Sequence, residues 1–240
     1  GREARVTVRR DARRRPMGET EKPPTEGRKV TLTIDERIQY VAESALSAAI
    51  RDTGSVSGTA VVLDPRTGEI LAMSSLPSFN PNRFGSFPEK DRVNRAIADS
   101  YEPGSIFKII TAAAALQEGV VSPLEIIDCG NGFVEIAGIR INDHAVFPSL
   151  TFRDVIAKSS DIGVVRVAQR LGSERFYGFL KSFGFGARTG LGLPGETVGL
   201  LRSTKSWSAL SLASLSFGQE IGVTAIQMAT LNTAEHFKLE

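Results

Sequence analysis

The sequence has few of the residues that usually bind transition metals. Its 240 residues include two histidines and a single cysteine, Cys129. A lone cysteine cannot form an intramolecular disulfide, so it does not indicate a redox compartment. His144 and His236 lie far apart in sequence, and with Cys129 they form no metal-ligand spacing. We therefore expect no metal ion and no other cofactor.

The sequence also lacks an excess of one charge and any long apolar run. Its 29 basic residues nearly balance 27 acidic ones, for a net charge of +2, which argues against a nucleic-acid-binding protein. It has no signal peptide and no apolar stretch of about 18 residues or more, so we expect these residues to be soluble by themselves. A hydrophobic share of 41% is typical of a globular protein.

Composition changes near Gly27. Residues 1–28 are polar, rich in arginine and glutamate, and interrupted by three prolines, which is typical of an arm or linker. Residues 29–240 are then expected to form the folded domain. Apolar residues alternate over 30–34 and predict a short strand. Thr33 with Glu36 predicts a capping box for the helix that follows.

Two further patterns predict the next elements. Apolar residues at helical spacing predict an amphipathic helix that ends at Gly54; they are Ile38, Val41, Ala42, Ala45, Leu46 and Ala49. The apolar segments 59–64 and 69–74 flank a Pro-Arg-Thr-Gly turn and predict a β-hairpin. Residues 76–92 contain three prolines and predict a long loop.

A serine and a lysine lie one helical turn apart directly after a Pro-Gly break. Ser105 and Lys108 precede an almost wholly apolar run that predicts a helix buried on all sides and ended by Gly119. Burial favours a neutral lysine, which could take the proton of the serine hydroxyl. A Ser-x-x-Lys pair alone is usually solvated surface, but the apolar run favours a candidate nucleophile at Ser105.

Two later segments carry further candidates. The β-like segment 129–141 precedes His144, for which a loop position is favoured over a role in a Ser-His-Asp site. Ser159-Ser160-Asp161 separates two helical segments and by itself indicates a cap or a turn. Together with Ser105 and Lys108, it becomes part of a candidate catalytic site.

Several blocks in the same order resemble a class B penicillin-binding protein, a peptidoglycan D,D-transpeptidase. They span residues 101–108, 159–163, 183–190, 193–196 and 216–228, and the resemblance extends from about residue 5 to residue 229. It implies an α+β fold similar to serine β-lactamases, with an antiparallel sheet flanked by helices in an α/β/α arrangement. Residues 1–28 resemble the end of the family's non-catalytic pedestal, and residues 29–240 resemble its transpeptidase domain.

The resemblance implies acyl transfer between peptidoglycan stem peptides. Ser105 would be the nucleophile, Lys108 its base and Ser159 a proton relay, while the Ser105 amide would help to hold the oxyanion. β-Lactams would acylate Ser105. The implied location is the extracytoplasmic face of a bacterial membrane, with a membrane-embedded glycosyltransferase and proteins of division or elongation as partners. No nucleic acid is expected.

The sequence departs from the family pattern at two places. Asp161 occupies the position of the asparagine in the family's Ser-x-Asn motif, where a carboxylate would favour the ammonium form of Lys108. The third motif, Lys-Thr-Gly or Lys-Ser-Gly, does not occur in these 240 residues. We therefore expect a chain truncated before that motif, with an incomplete sheet at its C-terminal end and weak acylation.

These departures leave alternatives open. A catalytically impaired scaffold of the same fold would explain both departures. A class D β-lactamase or a β-lactam sensor domain would share Ser105 and Lys108, but it would also need the third motif and would lack the arginine-rich arm. Incubation with penicillin separates the scaffold from the enzymes, and release of hydrolysed product separates a β-lactamase from a transpeptidase.

Overall fold

The structure, a computed structural model, describes residues 5–10, 13–14, 16–27 and 29–231. The chain divides into two compact units, Gly1–Thr33 and Ile34–Glu240. The first unit contains an antiparallel hairpin, in a segment for which the composition predicts an arm or linker. Its strands are β1 (Arg5–Arg10) and β2 (Pro16–Lys22). The assignment of residues 1–28 to the end of a pedestal domain and of 29–240 to a transpeptidase domain stays a prediction.

Residues 30–53 correct two predictions. The strand predicted over 30–34 does not form, and Val30 and Leu32 are 77% and 70% exposed. Helix α1 (Glu36–Thr53) is capped by Asp35, whose carboxylate accepts hydrogen bonds from two backbone amides of the first turn, instead of by a box from Thr33 to Glu36. An aspartate is at least as good an N-cap as a threonine, and this one stands directly before the helix. The predicted end at Gly54 is confirmed.

The predicted hairpin forms, and helices pack on both of its faces. Strands β3 (Gly58–Leu63) and β4 (Ile70–Leu76) pair antiparallel. Gly58 faces Leu46 and Ile50 of α1. Ser75 precedes Leu76, the partner of Gly58, so its side chain points to the opposite face of the hairpin. There the Ser75 hydroxyl accepts the Arg95 amide at 2.9 Å, at the start of α2 (Arg95–Ala98).

The apolar face predicted for α1 is only partly correct. The half-buried positions include Ile38, Ala42 and Leu46, which follow one stripe along the helix. Val41, Ala45 and Ala49 were expected on the same face but are exposed. Because α1 contacts the hairpin along one narrow stripe, the side chains that lie beside this stripe around the helix remain in solvent.

The helix after the serine-lysine pair is α3 (Lys108–Gln117), preceded by a 3-10 turn over Gly104–Phe107. The predicted terminator Gly119 has a φ of 62°, and the amide of the next residue, Val120, bonds back to Ala115. The prediction of burial on all sides is wrong, because Ile109 is 53% exposed. The opposite side of α3 packs into the core. Residues 76–92, predicted as a loop, contain two short 3-10 turns, Pro81–Ser86 and Glu89–Asp91.

Between residues 118 and 231, the structure describes four short strands, five α-helices and a 3-10 turn, Thr204–Ser206. The strands pair antiparallel in twos, β5 with β8 and β6 with β7. They are β5 (Ile126–Asp128), β6 (Phe133–Ile136), β7 (Ile139–Asn142) and β8 (Ser149–Thr151). The helices are α4 (Phe152–Ala157), α5 (Asp161–Leu171), α6 (Ser173–Ser182), α7 (Ser211–Ser216) and α8 (Ala225–Thr230).

The core of the second unit consists of two apolar clusters that share α3. One joins α3 to α4, α5 and the strands β5, β6 and β8. The other joins α3 to α6, α7 and the segment 221–231. The result is the expected α+β fold of helices and antiparallel strands. Within the described ranges, no helix is both long and apolar enough to cross a membrane.

Candidate active site

Lys108 is the centre of the candidate site. Its side chain is only 3% exposed, and its Nζ lies 2.6 Å from the Ser159 carbonyl oxygen, 2.8 Å from Ser159 Oγ and 2.6 Å from Asp161 Oδ1. An ammonium group has three donors, and these three acceptors satisfy all of them. A buried lysine is tolerated here because its charge is paired and hydrogen-bonded.

Ser105 lies on the 3-10 turn that leads into α3. It is exposed, and its carbonyl accepts the Lys108 backbone amide. Its hydroxyl makes no hydrogen bond to any residue in the part of the chain that the structure describes. The structure therefore brings Lys108, Ser159 and Asp161 into contact, and it presents Ser105 to solvent one turn before the lysine.

Ser159 has an unusual backbone conformation. It lies where α4 ends, with a φ of 56°, in the left-handed region that disfavours side chains other than glycine. Its amide bonds to Ile156 and the Ser160 amide bonds to Val155, which together form the Schellman end of a helix. In this conformation, both the carbonyl and the hydroxyl of Ser159 reach Lys108. Strain of this kind is typical of functional sites.

Asp143 holds the start of α5 and was not among the residues predicted for the site. Its carboxylate accepts the Ser160 hydroxyl at 2.6 Å, the Asp161 amide at 2.6 Å and the Ile162 amide at 3.1 Å. Ser160 also caps α5 itself, accepting the Gly163 amide. The carboxylate comes from the end of β7, so only its position after a predicted strand could have suggested this contact. The loop position predicted for the neighbouring His144 is confirmed, since it lies exposed against Phe147.

The segment 216–223 packs against the 3-10 turn that carries Ser105 and against the helix α3 that follows it. The Gly104 amide donates to the Gly218 carbonyl at 3.0 Å, and the Thr111 hydroxyl donates to the Ser216 carbonyl at 2.8 Å. A Cβ at Gly218 would lie 2.3 Å from the Gly104 carbonyl oxygen. Only glycine permits this approach and the φ of 82° found there. The position of Ser105 therefore depends on Gly218.

Two titratable groups near the site are held neutral. Burial raises the pKa of the Cys129 thiol, whose sulfur lies 3.8 Å from the Ser160 hydroxyl. Burial likewise raises the pKa of Tyr101, which lies four residues before Ser105. Neither group is set up to act as a nucleophile or base near neutral pH. Among the described residues, no cluster of His, Cys, Asp and Glu could hold a metal ion.

A cavity of about 270 Å³ adjoins the lysine site. Asp161 lies at its border, between the hairpin β6–β7 and helix α7. Its lining consists of Ile139, Arg140, Ile141, Asp161, Leu210, Ser214, Phe217 and Gln219. A substrate group in this cavity would lie beside a carboxylate that contacts Lys108 directly.

Comparison with known proteins identifies the family. The family described as "Penicillin binding protein transpeptidase domain" matches residues 58–234. The chain belongs to the penicillin-binding protein transpeptidase family. Within this family it is 40% identical over 210 residues to penicillin-binding protein PbpB of Mycolicibacterium smegmatis, covering 86% of this chain and 32% of the relative. It is 38% identical over 213 residues to the probable peptidoglycan D,D-transpeptidase PenA of Neisseria gonorrhoeae, covering 89% and 36%.

The fold is also found in a solved member of the family. The apo transpeptidase domain of penicillin-binding protein 3 from Burkholderia pseudomallei superimposes with a TM-score of 0.77 at 32% identity, covering 88% of this chain and 60% of that chain. The chain thus spans about a third of the length of the curated relatives it matches. The resemblance to class B penicillin-binding proteins and the α+β transpeptidase fold are confirmed.

Proposed function

We propose that this chain catalyses peptidoglycan D,D-transpeptidation through an acyl-enzyme on Ser105. The observation that carries the proposal is the buried Lys108, one turn after an exposed serine and in contact with Ser159 and Asp161. Membership of the transpeptidase family supports the same reaction class.

In the proposed acylation step, Ser105 Oγ attacks the carbonyl carbon of the penultimate D-Ala of a stem peptide. The hydroxyl proton passes to the neutral amine of Lys108 as the Oγ–C bond forms. The C–N bond to the terminal D-Ala then breaks, and the proton reaches that leaving amine through the Ser159 hydroxyl, which lies 2.8 Å from Nζ. The Ser105 backbone N–H is placed in the role of oxyanion donor.

Deacylation reverses these proton transfers. The amine of a second stem peptide attacks the acyl carbon and gives up its proton, while Ser105 regains one as it leaves. The product is a cross-link between two peptides. A β-lactam would follow the acylation half alone, with its ring C–N bond opened by Ser105.

In this proposal, the charge of Asp161 affects how readily Lys108 acts as the base. Its carboxylate lies 2.6 Å from Lys108 Nζ, in a site where the lysine is almost fully buried. The negative charge of Asp161 stabilises the ammonium form of Lys108, and an ammonium has no lone pair with which to accept the Ser105 proton. Asp161 therefore slows acylation near neutral pH relative to a neutral residue that keeps the same hydrogen bond.

The proposed setting follows from the same reaction. Its peptidoglycan substrate lies outside the cytoplasm, so we place the site on the extracytoplasmic face of a bacterial membrane. A membrane-embedded glycosyltransferase that makes the glycan strands, together with division or elongation proteins, is the proposed partner set.

Penicillin labelling tests the proposal. After incubation with penicillin, intact-mass and peptide mass spectrometry should find one adduct, on the peptide that contains Ser105. The variant Ser105→Ala should carry none. An adduct on another residue, or none on the wild-type chain, would refute the assignment and favour a scaffold role. Rapid release of hydrolysed penicillin would instead indicate a β-lactamase.

A further inference from the structure

Arg140 is held in a fixed orientation on the outer face of the hairpin β6–β7. The register pairs Glu135 with Arg140 and Phe133 with Asn142, so these four side chains share one face. The Arg140 guanidinium lies 3.7 Å from the centroid of the Phe133 ring, and its Nε donates to Asn142 Oδ1 at 2.9 Å. The stacking and the hydrogen bond fix the plane of the guanidinium before any ligand binds.

The two terminal nitrogens of Arg140 remain available. Glu135 is its cross-strand neighbour, yet no ion pair joins Arg140 to any acidic side chain in the part of the chain that the structure describes. A planar guanidinium with its terminal nitrogens free matches a carboxylate, which it binds through two parallel hydrogen bonds. Because the side chain is already oriented, binding loses less conformational entropy than at an ordinary surface arginine.

The backbone of the same residue is also available. A two-residue turn, Ala137-Gly138, with φ of 51° and 77°, joins the strands. Such a turn makes Ile136 and Ile139 a hydrogen-bonded pair. Alternation along the strand then directs the Arg140 amide and carbonyl away from β6, toward the outer edge of β7. An extended peptide could pair with this edge.

This edge borders the 270 Å³ cavity that also contains Asp161. An anionic ligand would ordinarily be repelled by that carboxylate. Here the Asp161 charge is balanced by Lys108 Nζ at 2.6 Å, whereas the charge of Arg140 is not paired. Among the residues that line the cavity, the unpaired guanidinium of Arg140 is therefore the group that can bind an anion, and it lies near Lys108.

We propose that Arg140 is a specificity residue that binds a side-chain carboxylate of the peptide substrate in the cavity between β7 and α7. The ligand class is a short acidic peptide, with its backbone along β7 and its carboxylate on the guanidinium. This inference rests on the proposed function for the identity of the substrate. It adds a contact outside the candidate catalytic residues and makes the carboxylate a condition for tight binding.

Binding is measured on the Ser105→Ala variant, so that no chemistry is required. The probes are two fluorescein-labelled peptides ending in D-Ala-D-Ala, one with a side-chain carboxylate and one with that carboxylate amidated. Fluorescence anisotropy should show about tenfold tighter binding of the carboxylate peptide. Adding Arg140→Gln should abolish the preference. Adding Arg140→Lys should leave only part of it, because lysine keeps the charge but loses the fork.

Arg92→Gln is the matched control. Arg92 also lies over a phenylalanine ring, Phe84, but outside the cavity lining, so this variant should keep the tenfold preference. Equal binding of both peptides to the Ser105→Ala protein, no binding of either, or a preference that survives Arg140→Gln would overturn the proposal. Because Ser105 is absent from this assay, failure of penicillin labelling and failure of Arg140 recognition are separate results.

Discussion

The N-termini of α1 and α5 are both capped by side-chain oxygens, but from different distances along the chain. At α1, Asp35 stands directly before the helix and accepts from its first turn. At α5, the adjacent Ser160 is joined by Asp143, 17 residues earlier. A local cap stabilises a helix wherever that helix packs. A cap from another element also fixes where the helix begins, and here that point determines the contacts of Lys108 with Ser159 and Asp161.

The largest effect near the start of α5 is expected from changes at Ser159. Two replacements should separate the contribution of its left-handed backbone conformation from that of its hydroxyl. Both Ser159→Gly and Ser159→Ala remove the hydroxyl proposed as the proton relay, and each should slow penicillin acylation about 100-fold or more. Glycine accepts the left-handed φ of 56°, so Ser159→Gly should be about 1 kcal/mol more stable than Ser159→Ala. Stopped-flow acylation and urea unfolding measure the two effects. Equal stabilities would show that the left-handed conformation costs nothing.

A comparison of Asp143→Ala with Asp35→Ala tests whether the distant cap acts on chemistry. Each variant loses an aspartate that accepts two backbone amides, so each should lose about 1 kcal/mol of unfolding free energy, with Asp143→Ala losing more because Ser160 also loses a partner. Only Asp143→Ala should slow acylation, by about tenfold. Asp143→Asn, which keeps an acceptor oxygen, should recover part of the rate. If Asp35→Ala slowed acylation equally, loss of stability alone would explain both results.

Unlike the preceding variants, Asp161→Asn should raise the rate of acylation. The amide keeps an acceptor for Lys108 Nζ but removes the negative charge that favours the ammonium. Near pH 7 we expect acylation to be a fewfold faster. Stopped-flow penicillin acylation checks this, and a rate identical to wild type would mean that the two charges are not coupled during acylation.

The smallest effect is expected at the other end of α5. Arg170, in its last turn, pairs with Glu125, and the hydrogen bond from Arg170 is the main cause that lowers the pKa of the Glu125 carboxyl. A carboxyl with a lowered folded-state pKa stabilises the protein above its unfolded-state pKa, and this contribution is lost as pH falls through the folded-state value. Glu125→Gln should therefore lower the melting temperature slightly at neutral pH, and the difference should vanish in acid. Calorimetry at several pH values checks this. A difference that persisted in acid would exclude the ion pair as its cause.

The sequence was most informative where a local pattern decides the structure. The hairpin β3–β4, the helix end at Gly54 and the serine-serine-aspartate step between two helices were all predicted from residues next to each other. The contact of Asp161 with Lys108 was expected only if the second motif came close to the first, and the structure brings their atoms to 2.6 Å.

The failures have a common physical reason. Val30 and Leu32 alternate like a strand, but alternation does not supply a partner strand. Ile109 lies in an apolar run, but an apolar run does not establish what packs on each side of a helix. Asp143 and Gly218 act through contacts with residues distant in sequence. A single sequence does not show which distant residues come together in the fold.

The buried Cys129 has a practical consequence for measuring motion at this site. Its side chain is completely covered and lies against Ser160 in the core. A thiol reagent can reach it only when the packing around the start of α5 opens. As this is the chain's single cysteine, the rate of its modification under native conditions reports how often that region opens. A cysteine introduced on the surface could be labelled rapidly while Cys129 stays unmodified, without any need to remove it.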